Sequence, residues 1–451
     1  MNDNPVRALI AGSPMHIRQF VLVLLCCIIN MSDGYDVLSL ALAAPQLTRE
    51  WGVAPQMLGV AFSATSVGLV LGAFLVAPVA DRVGRRSVVL AALLIITLAH
   101  WGLAVSNSIW MVAFLRLCKG VGLGTLVVSL NVLVAEFSND RWRNVLLGIL
   151  HTGFSVGMAV GGATAAWVLE PFGWRYIFVG GGLLNAAVLL FAIVFLLESP
   201  EYLTTRQPRN ALARLNAVLA ALNRPPLESL PRIQSGPRPK LSFAALLTPD
   251  IRRTTILIWL ASVSYAVVGY FLMNWKPQIL VDAGLSPTQA SYVGIINGVF
   301  GTIGHLSIGL LTRWVDEARL TAFYFAMLVV VLVVFGTIPS NPVLLLGTSG
   351  VLTMFTVGAY TGMFLVAIKF YSAEKRNTGV GFMVGWGRVG AIIGPMLGGL
   401  LLGAGLDRVM TFAVFASIAV IPVMGMFLAA AAITTHAAAA APAVRPAAPE
   451  K

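Results

Sequence analysis

Asp81-Arg82-Val83-Gly84-Arg85-Arg86 sits between two apolar runs, residues 57–80 and 87–105. Each run is long enough for a bilayer-crossing helix, which needs about 20 apolar residues. The connection is too short to do anything but turn, and Gly84 gives the backbone freedom to do so. In a soluble protein such flanking runs would leave large apolar patches in water. The same punctuation recurs along the chain. Of 451 residues, 58% are hydrophobic and 11% charged, with a formal net charge of +12. Soluble domains carry about 25% charged residues. The apolar content excludes disorder. A nucleic-acid surface is excluded because the basic residues fall between long apolar runs rather than on a polar face. An integral membrane protein remains.

The runs fall at residues 20–44, 57–80, 87–105, 109–134, 145–168, 174–197, 254–275, 288–311, 320–338, 342–368, 378–403 and 410–433. The first lacks a small-x-small cleavage site and holds Asp33 and Asp36, so it is a retained helix rather than a signal peptide. Cys26, Cys27 and Cys118 lie in apolar runs and read as packing residues, with no disulfide framework. The predicted fold is all-α, with twelve transmembrane helices. The organisation is a cytoplasmic N-terminus (1–19), a six-helix bundle (20–197), a cytoplasmic Pro/Arg-rich loop (198–253), a second six-helix bundle (254–433) and a disordered Ala/Pro tail (434–451). With twelve spans, both termini and the long loop share one side. That side holds 23 of the 30 Lys and Arg, against 4 on the other, Arg49, Arg175, Lys276 and Arg408. The basic side is therefore expected to be cytoplasmic. Trp275, beside Lys276, reads as an interfacial belt residue.

The halves repeat. A shift of 233 positions superposes Phe137 on Phe370, Arg143 on Arg376, Asn144 on Asn377, Gly148 on Gly381, Gly157 on Gly390 and Gly161 on Gly394. Two parallel six-helix copies are a transporter architecture, with the substrate site between them near the midplane. Apart from Arg175 at the outer edge of the sixth run, five charges stand inside the runs: Asp33, Asp36, Arg116, Lys119 and Arg388. Asp33 and Asp36, spaced i,i+3, share a helix face. Buried and adjacent, they suit a proton carrier, or else a pair held permanently by basic partners. Arg116 and Lys119 enter the fourth run to about 10 and 15 Å, matching about 12 and 16 Å for Asp36 and Asp33. Ion pairing between the first and fourth helices follows, or Arg116 receives a substrate carboxylate by a bidentate bond. Arg388 lies about 16 Å into the eleventh run, at midplane depth. Its repeat partner is Ser155, so the second half alone carries this charge. It is assigned to a substrate carboxylate. Glu136 ends the fourth run, as a helix-end charge or in proton exit. His305 is a possible proton relay or a locally hydrogen-bonded histidine. The aromatics Tyr35 and Trp386 are placed beside a substrate ring. No metal-ligand cluster, nucleophile motif or Walker loop appears, so neither an enzyme nor ATP drive is expected.

The 81–86 turn resembles the signature loop of the major facilitator superfamily, Gly-x-x-x-Asp-Arg-x-Gly-Arg-Arg, with Ala77 in place of the leading glycine. The resemblance implies a gating role for Asp81, Arg82, Gly84, Arg85 and Arg86, and for Arg376 in the repeated loop. The second-half counterpart, residues 309–315, has Thr312 in the acidic position. Within that superfamily, Asp33-Gly34-Tyr35-Asp36 resembles the Asp-Gly-aromatic-Asp motif of the aromatic acid:proton symporters. So do Arg116 with Gly120, Gly122 and Gly124, and Gly387-Arg388-Val389-Gly390-Ala391-Ile392-Ile393-Gly394. Lys119 departs from that pattern. The resemblance implies uptake of a hydroxybenzoate- or benzoate-like carboxylate with a proton, by alternating access. Asp33, Asp36 and Glu136 would couple protons, and Arg388, Arg116, Tyr35 and Trp386 would bind substrate. The expected setting is the bacterial inner membrane, with both termini cytoplasmic. The expected partners are a small aromatic acid, protons and lipid, without nucleic acid; the chain is expected to act as a monomer, with no cofactor beyond the proton gradient. A proton-driven efflux carrier, a symporter of non-aromatic acids and a membrane sensor are the alternatives.

Overall fold

A computed structural model describes residues 5–231, 246–249, 251–372 and 375–440, without the side chains of 5, 144, 377 and 431–440. Part of the long loop, including Pro237 and Pro239, and the chain from 441 onward lie outside the described residues. Among the described residues, twelve helices are long and apolar enough to cross a membrane. They are α1 (Ile17–Trp51), α2 (Pro55–Val83), α3 (Arg85–Ala104), α4 (Ile109–Phe137), α5 (Arg143–Val168) and α6 (Arg175–Phe195), then α7 (Arg252–Asp282), α8 (Pro287–Leu311), α9 (Glu317–Thr337), α10 (Pro342–Phe370), α11 (Arg376–Gly403) and α12 (Arg408–Ala440). The chain is a multi-pass membrane protein, and the twelve-span expectation is met.

Local chemistry sets the ends of the helices. His16 and Gln19 form a capping box that starts α1, and Gly52, at φ +63°, closes it with its N–H on the Thr48 carbonyl. Pro55, Pro287 and Pro342 occupy first turns, where no N–H is needed. Near its basic end α2 passes through a π turn at Gly72–Val76 and a 3-10 turn at Ala77–Val79. Asp81 and Arg82 then belong to its last helical turn, Ala80–Val83, and Gly84 alone breaks the chain, at φ +108°. The last helix runs past 434 to Ala440, because alanine favours helix, where the sequence suggested a disordered tail.

The packing repeats with a shift of six helices. In the first half α1 packs on α5, α2 on α4 and α3 on α6. In the second, α7 packs on α11, α8 on α10 and α9 on α12. The halves meet along α5–α8, α2–α11 and α1–α7. Away from the basic side these seams are shut. A Cβ on Gly162 of α5 would come within 2.7 Å of the Gly294 Cα on α8. One on Gly59 of α2 would come within 2.7 Å of the Pro395 carbonyl on α11. Ser63 donates across the same seam to the Ile392 carbonyl at 2.7 Å. Towards the basic side the helices part: Gly148 of α5 and Gly381 and Gly385 of α11 face open space. The gap is a wedge that widens towards the basic side.

A short helix, Pro5–Ala11, precedes α1. Its Arg7 Nη1 donates to the carbonyls of Ala135, Glu136 and Ser138 at 2.9, 2.9 and 3.1 Å, capping the end of α4. Two further helices, Pro200–Thr205 and Ala211–Ala221, follow α6 on the same side.

Candidate functional site

The motif on α1 splits its two carboxylates between different environments. Gly34 lets α1 and α5 touch, since any Cβ there would run into the Phe154 carbonyl. That contact sets the rotation of the helix. Asp33 is half-buried, whereas Asp36 is fully buried. Asp36 forms an ion pair with Lys119 of α4, and His100 Nε2 of α3 lies 3.4 Å from its Oδ1. Arg116, one turn from Lys119, is 1% exposed and donates Nε to the Ala61 carbonyl at 3.2 Å. The cluster of one acid, two cations and one histidine is sealed inside the first half. Arg116, read from sequence as a candidate substrate ligand, points into this cluster. Tyr35, placed beside the substrate ring, is buried instead, with its hydroxyl donating to the Ile177 carbonyl of α6 at 2.7 Å. Sequence depth put the right residues at the right level but not on the right side of the helix.

Asp33, on the same broad face of α1 but turned about 60° from Asp36, is left half-buried and lies within electrostatic reach of Arg388 on α11. Arg388 Nη1 donates to the Tyr270 hydroxyl at 3.0 Å. Close by, Tyr265 of α7 and Tyr360 of α10 stack at 5.2 Å with planes 16° apart. An acid from one half, an arginine from the other and a patch of aromatic rings therefore converge between the bundles. Trp386 is 41% exposed and packs at a tilt of 30° against Trp259, with ring centroids 6.0 Å apart. His305 bonds Thr361 Oγ1 through Nδ1 at 2.6 Å, on a part-exposed face of α8.

At the basic end a second network ties the signature turn down. Arg85 Nη1 lies 2.8 Å from Glu136 Oε1, and the Ser199 hydroxyl donates to Glu136 Oε2 at 2.5 Å. Glu198 Oε1 accepts the Arg86 and Ser199 backbone N–H groups, each at 3.0 Å, and Arg214 stands 3.4 Å from its other oxygen. Gly84 is needed here: a Cβ would lie 2.5 Å from Glu198 Oε2. Asp81 pairs with Arg85 at 3.2 Å, and Arg82 accepts a long bond from the Tyr202 hydroxyl at its carbonyl. All of these partners lie in the first half or in the segment that directly follows α6. Arg376 is exposed at the start of α11. Glu198 and Arg214 were not legible as partners of the turn, because only the docked segment after α6 brings them there.

Residues 24–395 match the sequence profile of the Major Facilitator Superfamily. The chain belongs to the major facilitator superfamily. It is a transporter, not an enzyme. It is 32% identical over 412 residues to a gallate transporter of Pseudomonas putida, covering 90% of this chain and 91% of that one. It is 32% identical over 415 residues to the 4-hydroxybenzoate transporter PcaK of Pseudomonas aeruginosa, covering 90% and 92%. Similarity extends to the 3-(3-hydroxy-phenyl)propionate transporter of Escherichia coli, at 27% over 393 residues, covering 87% and 89%. The fold resembles a bacterial homologue of the human lysosomal transporter Spinster, solved inward-facing and occupied, with a TM-score of 0.67 at 15% identity, covering 94% of this chain and 98% of that one.

One buried charge of this major facilitator chain escaped the sequence reading. Lys276, assigned to a loop, lies within α7, which continues through Pro277 to Asp282. It is 2% exposed. Trp275, read as a belt residue, is 1% exposed, donates to the Pro395 carbonyl at 2.9 Å and packs edge-on against Phe62 at 5.4 Å. The Lys-Pro pair looked like a stop signal. Only the six residues that follow, Pro-Gln-Ile-Leu-Val-Asp, hint at continuation.

Proposed function

We propose that this transporter imports an aromatic carboxylate together with a proton, by alternating access, through the bacterial inner membrane with its basic side cytoplasmic. The reading is carried by the half-buried Asp33 of one half standing within electrostatic reach of Arg388 of the other, beside Tyr265, Tyr270 and Tyr360. The substrates named for the relatives, gallate and 4-hydroxybenzoate, support the class of acid. Arg388 binds the substrate carboxylate, a charge-assisted pairing for which guanidinium is suited. Asp33 carries the proton, since it alone of the two α1 carboxylates faces the gap. Asp36, locked by Lys119, positions α1 against α4. A neutral Asp33 and an arginine bearing a carboxylate leave the loaded gap close to neutral, which eases its passage through low dielectric. With the basic side cytoplasmic, the wedge is open inward and the α5–α8 and α2–α11 seams close the outside. Both walls come from one chain, so a monomer suffices.

The test is uptake of labelled 4-hydroxybenzoate into vesicles with and without an inward-directed proton gradient. Gradient-driven accumulation is expected, and Arg388→Ala should lower it at least about tenfold, as loss of one charge-assisted contact does. Uptake indifferent to the gradient would refute the coupling.

A further inference from the structure

Lys276 of α7 spends all three ammonium protons on neutral acceptors. Nζ donates to Asn297 Oδ1 of α8 at 2.8 Å, to Thr353 Oγ1 of α10 at 2.9 Å and to the Ser349 carbonyl of α10 at 3.4 Å. Among the described residues no carboxylate pairs with it. The contrast with the first half is direct. There the first and fourth helices are joined by Asp36 with Lys119, so the cation has a counter-charge. Here the equivalent helices, α7 and α10, are joined by a cation alone. Under the 233-residue shift, Ser349 stands where the first half has Arg116. A buried ammonium without a counter-ion is costly, and charges retained inside membrane bundles mark substrate or ion pathways.

A second observation points to what it meets. The Ser349 hydroxyl is buried and has no hydrogen-bond partner among the described residues. A cation and an unused O–H donor thus stand together. Lys276 lies six positions along α7 from Tyr270, the residue that holds Arg388. At 1.5 Å per residue that is about 9 Å further from the basic side. The neighbouring Trp275 packs on Phe62 of the first half, and Asn297 adjoins Gly298, whose Cβ would lie 3.1 Å from the Ser155 carbonyl of α5. The chain neighbours of the cluster therefore line the two seams that are shut in this conformation. Parting those seams moves these neighbours and opens a way to the cluster from the side away from the wedge.

We propose that Lys276, with the Ser349 hydroxyl, is a carboxylate station on the outer approach. It receives an organic carboxylate when the far seams open and yields it to Arg388, which is held by Tyr270 about 9 Å deeper along α7. The station rests on the carboxylate-transport reading above.

Lys276→Met, Lys276→Arg and Ser349→Ala, assayed in vesicles of both orientations with 4-hydroxybenzoate, test it. Lys276→Met is expected to raise KM about tenfold for substrate offered on the side away from the wedge, and to change it less than about twofold on the basic side. Lys276→Arg should recover most of the loss, and Ser349→Ala should give a smaller, equally one-sided rise. A KM unchanged or raised equally on both sides, or a fall in melting temperature without a one-sided KM, overturns the station and makes Lys276 a structural clasp. A second measurement does not depend on transport. An impermeant amine reagent should modify Lys276 from the far side, and benzoate should protect it; modification without protection also overturns the station. Protection by benzoate in a wild-type protein that moves no hydroxybenzoate would refute the function proposed above and leave the station standing.

Discussion

Asp33 and Asp36 are three residues apart and do different work. One is half-buried at the gap between the halves; the other is sealed against Lys119, with His100 at 3.4 Å. Substitution should separate the two roles. Asp33→Asn is expected to keep the protein folded and to abolish the response of uptake to a proton gradient, read as equal uptake with and without it. Asp36→Asn removes the carboxylate that pairs with Lys119 and leaves Lys119 and Arg116, one turn apart and buried, without a paired carboxylate among the described residues. Breaking one partner of a fully buried pair costs about 3–5 kcal/mol. A markedly lower unfolding midpoint in detergent is therefore expected, and Asp36→Asn combined with Lys119→Met should recover part of it. Unchanged stability in the single variant would show that the pair is not what holds α1 to α4.

Helix packing explains where the halves can and cannot move. The α5–α8 seam closes through Gly162 against Gly294, so neither position has room for a side chain in this conformation. Gly162→Val should leave the first half folded but hold the far seam apart. The expected result is lost transport with normal membrane insertion, together with new accessibility of a cysteine at Gly298, whose environment is otherwise covered by Ser155 and Ala159. The basic end is organised differently. Arg85, Glu136, Ser199 and Glu198 bind α3, α4 and the segment after α6 into one piece. The signature turn in this conformation thus stiffens one half rather than bridging to the other.

For the whole molecule, the wedge makes a directional statement. Cysteines introduced at Gly148 or Gly381, in a background without Cys26, Cys27 and Cys118, face open space towards the basic side. They should react with a water-soluble maleimide added on that side and resist one added on the other. Reaction from the far side would mean that the seams are not the closed gate. How much was legible beforehand follows the same scale. The twelve spans and the repeat were readable because each rests on apolar length and local spacing. Asp33 and Arg388 were readable as candidates because charges inside apolar runs are conspicuous. Pairing between the first and fourth helices was readable from matching depths and is met by Asp36 with Lys119. Tyr35 was misplaced because depth along a helix does not specify its rotation, and depth alone left open which of its two readings Arg116 takes. Lys276 was missed because a lysine followed by proline resembles the end of a span.

By itself, the sequence determined the membrane class, the number of spans, their duplication and the list of charges too deep to be surface residues. Those properties depend on composition summed along one segment, which a chain carries before it folds. Tertiary structure alone decided which charges meet. The turn of α1 set by Gly34 against α5 sends Asp36 into the first bundle and leaves Asp33 at the gap. The extension of α7 through Pro277 takes Lys276 from a presumed loop to a buried position behind the closed seams. A helix surrounded by several neighbours offers each side chain a different environment every 100° of rotation, and only packing selects among them.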